Sequence, residues 1–176
     1  MPTIDLNRRD LENLIGIEIK KEDLEELFLP VKGEVDGYED GEIKLDVKDS
    51  NRPDLWSVEG VARELKAHLN IQKGIPSYSF ADSSYTVTID EVPSRPKAAY
   101  AIALNIDIND DLLKSLIQMQ EKICGSFGRK RKEVAIGIFD LDKVEGKHLK
   151  YYGADPKSKF TPLGYDSEIT LDEILK

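Results

Sequence analysis

The sequence is poor in side chains that carry nucleophilic catalysis or covalent cross-links. Its only cysteine, Cys124, excludes a disulfide framework within the chain. Cys124 falls near a predicted helix C-terminus, where the helix dipole opposes a thiolate, so we interpret it as a core residue. The two histidines, His68 and His148, stand far apart without a partner motif and are interpreted as structural residues. Nucleophilic catalysis is therefore poorly supported.

Long apolar runs and ligand-binding motifs are also missing. No stretch approaches the 18 or more apolar residues of a membrane span, and the N-terminus lacks the apolar region of a signal peptide. These absences predict a soluble cytoplasmic protein with no membrane partner. No zinc-ligand spacing, phosphate-binding loop or dinucleotide fingerprint occurs. The sequence accordingly predicts no metal site and no cofactor bound by this chain itself.

Basic residues are fewer than acidic ones, 25 against 34. The formal net charge is −9 at pH 7. Broad contact with a phosphate backbone requires many lysines and arginines, so it is not expected here. Any contact with RNA should therefore be local.

The residues that are present can build a core. Hydrophobic residues make up 40% of a 176-residue chain, which indicates one or two domains. The pattern predicts an α+β fold that begins with a strand at 3–6, a helix closed by Gly16 and a helix at 22–28. A hairpin around Asp40-Gly41 and a helix with an apolar stripe from Val58 to Leu69 follow. These elements predict a small N-terminal α+β domain over residues 1–71.

A second part of the chain is predicted after residues 72–84, which contain Gly, Pro and Ser with little periodicity and form the expected linker. Residues 85–176 are predicted to be the first part of a mixed α/β domain. Its strands are expected at 85–91, 100–106, 134–139 and 148–152. Its helix should begin at Asn109, a good N-cap, and stop at Gly125.

The C-terminal residues carry a helix start signal. Thr170 and Glu173 have the spacing of a capping box, which opens a helix. Only three residues follow Glu173, too few for an independent helix. We therefore expect Lys176 to be a truncation point within a longer domain.

Gln120 is the unusual residue of the Asn109 helix. It shares a stripe with Leu113, Ile117 and Cys124, the side of the helix that is expected to face the core. A buried amide without partners costs about 1–3 kcal/mol, so this side chain needs hydrogen bonds. Two interpretations stay open: Gln120 bonds a neighbouring backbone group, or it lines a pocket.

A short basic loop, Arg129-Lys130-Arg131-Lys132, follows this helix, and the predicted strand after it ends at Asp140. Four consecutive cations usually form a solvated turn. In an otherwise acidic chain they could also clamp a terminal phosphate or a ribose. Asp140 could cap a turn, or it could orient a water molecule or an ammonium group.

Two separated stretches resemble one known family. Residues 118–140, QMQEKICGSFGRKRKEVAIGIFD, resemble the editing domain of the phenylalanyl-tRNA synthetase beta subunit in its archaeal and eukaryotic form. Residues 51–65, NRPDLWSVEGVAREL, resemble the small domain that opens the same subunit. In this second stretch we interpret Arg52 as tying down a turn and Trp56 as covering the core. The resemblance implies an N-terminal portion of the subunit that includes the start of the editing domain.

The resemblance also implies a function in protein biosynthesis. Family members belong to an enzyme of two alpha and two beta subunits that attaches phenylalanine to tRNA(Phe), and ATP and Mg²⁺ serve the alpha subunit's active site. The beta-subunit editing domain hydrolyses misformed tyrosyl-tRNA(Phe). An apolar pocket rejects an added hydroxyl only about 100-fold, whereas a site that hydrogen-bonds the hydroxyl can select it about 10⁴-fold.

The resemblance makes four residues candidates for the wall and mouth of an editing pocket, with Lys132 a weaker fifth. The four are Gln120, Arg129, Arg131 and Asp140. It implies no identified catalytic residue. The alternatives that stay open are a non-catalytic module that docks tRNA or the partner subunit, and a free-standing editing factor. Residues 51–65 argue against the free-standing factor, which would not need the leading domain.

Overall fold

The computed structural model describes residues 3–49 and 51–175, and its helices and small sheets form the predicted α+β fold. The chain divides into two compact units. The first contains residues 1–80 and 103–138, and the second contains residues 81–102 and 139–176. Lys176, the expected truncation point, lies outside the described residues. The linker at 72–84 stays a prediction.

A three-stranded antiparallel sheet organises the first unit. Its strands are β1 (Thr3–Asn7), β2 (Gly33–Glu39) and β3 (Glu42–Val47), in the order β1-β3-β2. The β2–β3 hairpin turns at Asp40-Gly41, whose φ angles of 49° and 84° are those of the tight turn that this dipeptide favours. β3 is the central strand, and Ile43 and Leu45 on it are fully buried. β1 is therefore left at one edge of the sheet.

Three helices complete this core. Helix α1 (Arg8–Ile15) is capped by the Asn7 side chain and ends at Gly16, whose φ is 88°. Helix α2 (Leu24–Phe28) is shorter than predicted, because residues 21–23 and 29–31 on either side of it form single 3₁₀ turns. Helix α3 (Val58–His68) begins at Ser57, whose hydroxyl accepts a hydrogen bond from the amide of Gly60.

Helix α4 (Asp110–Gly125) also belongs to the first unit. It has the predicted start, because the Asn109 side chain accepts a hydrogen bond from the amide of Leu112 at 2.8 Å. It also has the predicted end at Gly125. The sequence therefore placed both ends of this helix correctly.

Two predicted strands are wrong. Residues 100–106 and 134–139 have no regular secondary structure, and neither segment pairs with a strand among the described residues. Apolar side chains on both segments are exposed, including Leu104 at 69% and Phe139 at 80%. The amide of Ile136 instead donates to the Cys124 thiol at 3.2 Å. An apolar sequence becomes a strand only where a neighbour supplies the ladder of hydrogen bonds, and these segments have none.

The second unit contains two small sheets. Strands β4 (Thr86–Ile89) and β5 (His148–Tyr151) pair in parallel, close to the predicted positions. Strands β6 (Lys159–Phe160) and β7 (Ile169–Thr170) pair antiparallel. Helix α5 (Leu171–Ile174) opens with the predicted capping box of Thr170 and Glu173. No helix among the described residues is both long and apolar enough to cross a membrane.

Candidate functional site

Helix α4 and the turn after it carry four of the five candidate residues, and the helix packs on the first unit at several points. The Ser115 hydroxyl donates to a Glu59 carboxylate oxygen of α3 at 3.0 Å. The Cys124 side chain is fully buried, and Ile123 packs against the core cluster. Beyond the helix, the Phe127 ring lies 5.6 Å from the Trp56 ring, measured between centroids. The helix is therefore held along most of its length.

The face of α4 that is buried differs from the predicted one. Leu113 and Ile117 are 46% and 51% exposed, although both belong to the stripe that was expected to face the core. Ser115 is buried in their place. Gln120 is half-buried, between the exposed part of that stripe and the fully buried Cys124. The prediction that this stripe faces the core is wrong for its first half, because α4 docks through polar contacts that have no hydrophobic signal.

The turn after α4 has an unusual backbone. Arg129, Lys130 and Arg131 have φ angles of 47°, 57° and 66°, so three consecutive non-glycine residues adopt the left-handed conformation. This conformation costs about 1–2 kcal/mol for each such residue. The amides of Lys130 and Arg131 donate to the carbonyls of Gly125 and Cys124 at 3.2 and 2.9 Å. These bonds join the turn to the end of α4 and hold it in place.

Gly128 allows the turn to approach the helix this closely. A Cβ atom at this position would lie 2.2 Å from the carbonyl oxygen of Val134 and 2.6 Å from that of Cys124. Both are backbone atoms, which cannot swing aside as the end of a side chain can. Gly128 is buried, whereas the basic residues that follow it are exposed. The turn therefore combines a fixed backbone with side chains that reach solvent.

The two arginines of this turn lie close to carboxylates. Arg131 bonds to Glu121 of α4, and an Arg129 guanidinium nitrogen lies 3.7 Å from a Glu133 carboxylate oxygen. Lys130 and Lys132 are exposed. Exposed ion pairs of this kind contribute only about 0.2–1 kcal/mol each. A polyanion could therefore displace them at little cost.

Asp140 belongs to the second unit, whereas the other candidates belong to the first. Its carboxylate accepts a hydrogen bond from the amide of Asp142 at 3.1 Å and lies 3.7 Å from the Lys143 ammonium. It thus caps the 3₁₀ turn over residues 141–143. This contact is the structural role that the sequence offered for Asp140, and a role in a pocket stays a prediction.

The 51–65 stretch forms a joint between a turn and helix α3. Arg52 binds Asp54 through two hydrogen bonds of 3.0 and 2.8 Å and donates to Glu64 of α3 at 3.0 Å. These hydrogen bonds lower the pKa of Asp54 below its ordinary value. Trp56 is 1% exposed. The predicted structural roles of Arg52 and Trp56 are confirmed.

The sequence reasoning missed Gln118, which connects α4 to the first sheet. The amide of Asp5 in β1 donates to Gln118 Oε1 at 2.8 Å, and Gln118 Nε2 donates to the carbonyl of Asp5 at 3.1 Å. The two residues are 113 positions apart in the chain. The apolar stripe of the helix singled out Gln120 and not Gln118, and no local sequence signal pointed to a contact with Asp5.

An acidic cleft of about 320 Å³ lies beside this contact and is lined in part by Asp5, Asp10, Asp111 and Gln118. Burial raises the pKa of the Asp10 carboxyl, and the negative charges of Glu59 and Asp111 raise it further. Among residues 3–49 and 51–175, no group of three or more His, Cys, Asp or Glu side chains is placed to hold a metal ion. The cleft therefore contains one carboxyl group, that of Asp10, whose charged form is disfavoured.

Comparisons with known proteins agree with one another. No family model matches the chain. The chain is 48% identical to the phenylalanine–tRNA ligase beta subunit of Thermococcus kodakarensis over 182 residues, which cover all of this chain and 32% of that protein. It is 48% identical to the beta subunit of Pyrococcus horikoshii and 40% identical to that of Sulfurisphaera tokodaii. The chain spans about a third of the length of these curated relatives.

A solved structure has the same fold. It is the crystal structure of an N-terminal fragment of the phenylalanyl-tRNA synthetase beta subunit from Pyrococcus horikoshii, which is 48% identical and has a TM-score of 0.90. The match covers 99% of this chain and 52% of that fragment. Over its full length, this chain is therefore similar to phenylalanine–tRNA ligase beta subunits, and its fold is that of an N-terminal fragment of one of them.

Proposed function

We propose that the chain serves as the N-terminal portion of a phenylalanine–tRNA ligase beta subunit and supplies part of a site that hydrolyses mischarged tyrosyl-tRNA(Phe). The full-length similarity to three beta subunits carries the first half of this proposal. The turn after α4 carries the second half, because it is a fixed cluster of four cations on a chain of net charge −9.

The hydrolysis of an aminoacyl ester requires a held water molecule and a stabilised oxyanion, and a strong nucleophile is not necessary. In our proposal Arg129 and Arg131 neutralise the phosphate groups at the end of the tRNA. Their guanidinium groups are suited to this task because each can form two hydrogen bonds with one phosphate. Lys132 would add a point charge to the same cluster.

Gln120 would recognise the tyrosine hydroxyl in this proposal. Its half-buried amide offers both a donor and an acceptor to a phenol group. Phenylalanine would leave this amide unpaired, and a site built on such a contact discriminates by up to about 10⁴-fold. Asp140 belongs to the second unit, and no role in this contact is proposed for it.

The wider assembly is also part of the proposal. The beta subunit would associate with an alpha subunit, in a complex of two alpha and two beta chains, and would contact tRNA(Phe). The alpha subunit would carry out aminoacylation with ATP and Mg²⁺. The basic turn is the local RNA contact that an acidic chain can offer.

The deciding experiment measures the hydrolysis of tyrosyl-tRNA(Phe) by this chain and by a full-length beta subunit. Each protein is tested with Gln120→Ala and Arg129→Ala, and with the matched controls Gln72→Ala and Arg9→Ala. Gln72 and Arg9 are exposed and lie outside α4 and its turn. We expect the first two variants to lose about 10–100-fold in kcat/KM, the loss that follows removal of a hydrogen bond to a charged or buried group. The controls should retain wild-type rates.

The outcomes separate the two candidate functions. Full activity of both Gln120→Ala and Arg129→Ala would contradict the site assignment. A second candidate, a docking module without catalysis, is favoured by the exposure of all four basic side chains. It predicts that Arg129→Ala weakens tRNA binding while neither protein hydrolyses the ester.

A further inference from the structure

The unpaired edge of strand β1 is covered by a side chain instead of another strand. An edge strand presents amide and carbonyl groups that have no backbone partner. At Asp5 both groups are satisfied by the carboxamide of Gln118, which accepts from the amide at 2.8 Å and donates to the carbonyl at 3.1 Å. A neighbouring strand would offer Asp5 the same pair of bonds.

Other contacts of α4 lie before and after Gln118 along the helix. The buried Ser115, one turn before Gln118, donates to Glu59 at 3.0 Å. Ile123, more than one turn after Gln118, packs against the core. The exposure of Leu113 and Ile117 shows that the first half of the hydrophobic stripe does not decide how this helix is rotated. A hydrogen bond of defined direction has to set the rotation of α4.

We infer that Gln118 is a positioning residue that sets the rotation of α4 on the first unit. By fixing the helix, Gln118 fixes the orientation of Gln120, two residues later, and of the basic turn bonded to the helix end. The functional consequence depends on the proposed editing function. The positional role does not, because it follows from contacts within the first unit alone.

Only a neutral amide fits this position. Gln118 has to donate one hydrogen bond and accept another, and a carboxylate can only accept. The surrounding charges also disfavour an anion, since Asp5 from β1, Asp10 from α1, Glu42 from β3 and Asp111 from α4 line the same cleft. Lys114 of α4 is the cation that lines this cleft, and Glu59 of α3 adds a further negative charge nearby.

Hydrogen exchange of the Asp5 amide tests the positional role directly. The 176-residue chain is compared with Gln118→Met, which keeps the length of the side chain and removes both hydrogen bonds. Gln72→Met is the matched control, because Gln72 is exposed and makes no contact with β1 among the described residues. We expect the protection factor at Asp5 to fall about tenfold in Gln118→Met, as expected for the loss of two hydrogen bonds, and to stay unchanged in the control. An unchanged protection factor in Gln118→Met would overturn the inference.

A second variant, Gln118→Glu, tests the need for a donor. Its carboxylate can accept from the Asp5 amide at neutral pH but cannot donate to the carbonyl until it is protonated. The surrounding carboxylates raise the pKa of the introduced group, so the protection at Asp5 should recover as the pH falls towards 5. A protection factor in this variant that does not change with pH, once corrected for the intrinsic exchange rate, would contradict the inference.

The functional consequence is measured on a full-length beta subunit assembled with its alpha subunit. We expect Gln118→Met to lower kcat/KM for tyrosyl-tRNA(Phe) hydrolysis about tenfold, and Gln118→Glu to regain activity at the pH at which the Asp5 protection returns. If the wild-type enzyme does not hydrolyse this substrate, the proposed function fails and the exchange result alone decides the role of Gln118. If hydrolysis is unaffected while the Asp5 protection falls, Gln118 does not position the site.

Discussion

Gly128→Ala perturbs the point at which the basic turn approaches helix α4. The added Cβ would lie 2.2 Å from the carbonyl oxygen of Val134 and 2.6 Å from that of Cys124. Carbon atoms normally require about 3.5 Å from their neighbours, so the turn would have to move by about 1 Å. The bonds at risk are those from Gly128 to the Ile123 carbonyl and from Glu133 to the Gly128 carbonyl, each 2.9 Å long.

The magnitude follows from these contacts. Overpacking of this kind costs about 1–3 kcal/mol, and each lost backbone hydrogen bond adds about 0.5–1.5 kcal/mol. If one of the two bonds is lost, we expect Gly128→Ala to destabilise the first unit by about 2–4 kcal/mol. For a chain of this size, that change lowers the melting temperature by about 5–15 °C.

Thermal unfolding followed by circular dichroism measures the effect, and Gly125→Ala is the matched control. A Cβ at Gly125 would have no atom within 4 Å, and this residue is the last of α4. Alanine favours a helix over glycine by up to about 1 kcal/mol, so the control should melt at the wild-type temperature or slightly above it. If both variants melt at the same temperature within the error of the measurement, the close approach at Gly128 does not exist in solution.

Three further changes test the first unit. Arg52→Ala should lower the free energy of unfolding by about 1 kcal/mol, because Asp54 and Glu64 lose their hydrogen bonds to Arg52. The contribution of the Asp54 pair is present above the ordinary carboxyl pKa range and disappears as the pH falls through the lowered pKa of Asp54. Urea unfolding curves at a series of pH values measure this contribution, and a difference that does not change with pH would contradict it. Gly60→Ala should destabilise the protein by about 2–4 kcal/mol, because the added Cβ would lie 1.5 Å from the backbone oxygen of Asp54. Urea unfolding measures this loss, and a variant as stable as the wild type would refute the contact. Asp10→Asn should stabilise the protein by about a few tenths of a kcal/mol at pH 7. This gain should vanish as the pH falls from the raised pKa of Asp10 to below its ordinary value of 3.8, because the wild-type carboxyl is then as neutral as the variant amide. Urea unfolding at pH 7 and pH 3 checks the sign.

Much of the fold could be predicted because its signals are local. The Asn109 cap and Gly125 define α4, Asp40-Gly41 defines the hairpin, and Thr170 opens α5. Each of these features depends on a few neighbouring residues whose backbone preferences are strong. The strands at 100–106 and 134–139 could not be predicted in the same way, since pairing depends on a partner that the segment itself does not encode.

The sequence alone indicated the family resemblance, the ends of α4 and the presence of a basic turn after α4, because residue identity and spacing are sufficient for all three. The tertiary structure decided which face of α4 is buried and which glutamine holds it. Gln118 and Gln120 are two positions apart on one helix, and the sequence pattern pointed to Gln120, whereas Gln118 makes the contact with Asp5, 113 residues away. Periodicity predicts hydrophobic faces, but the docking of α4 depends on polar contacts of specific direction, and these exist only once the chain has folded.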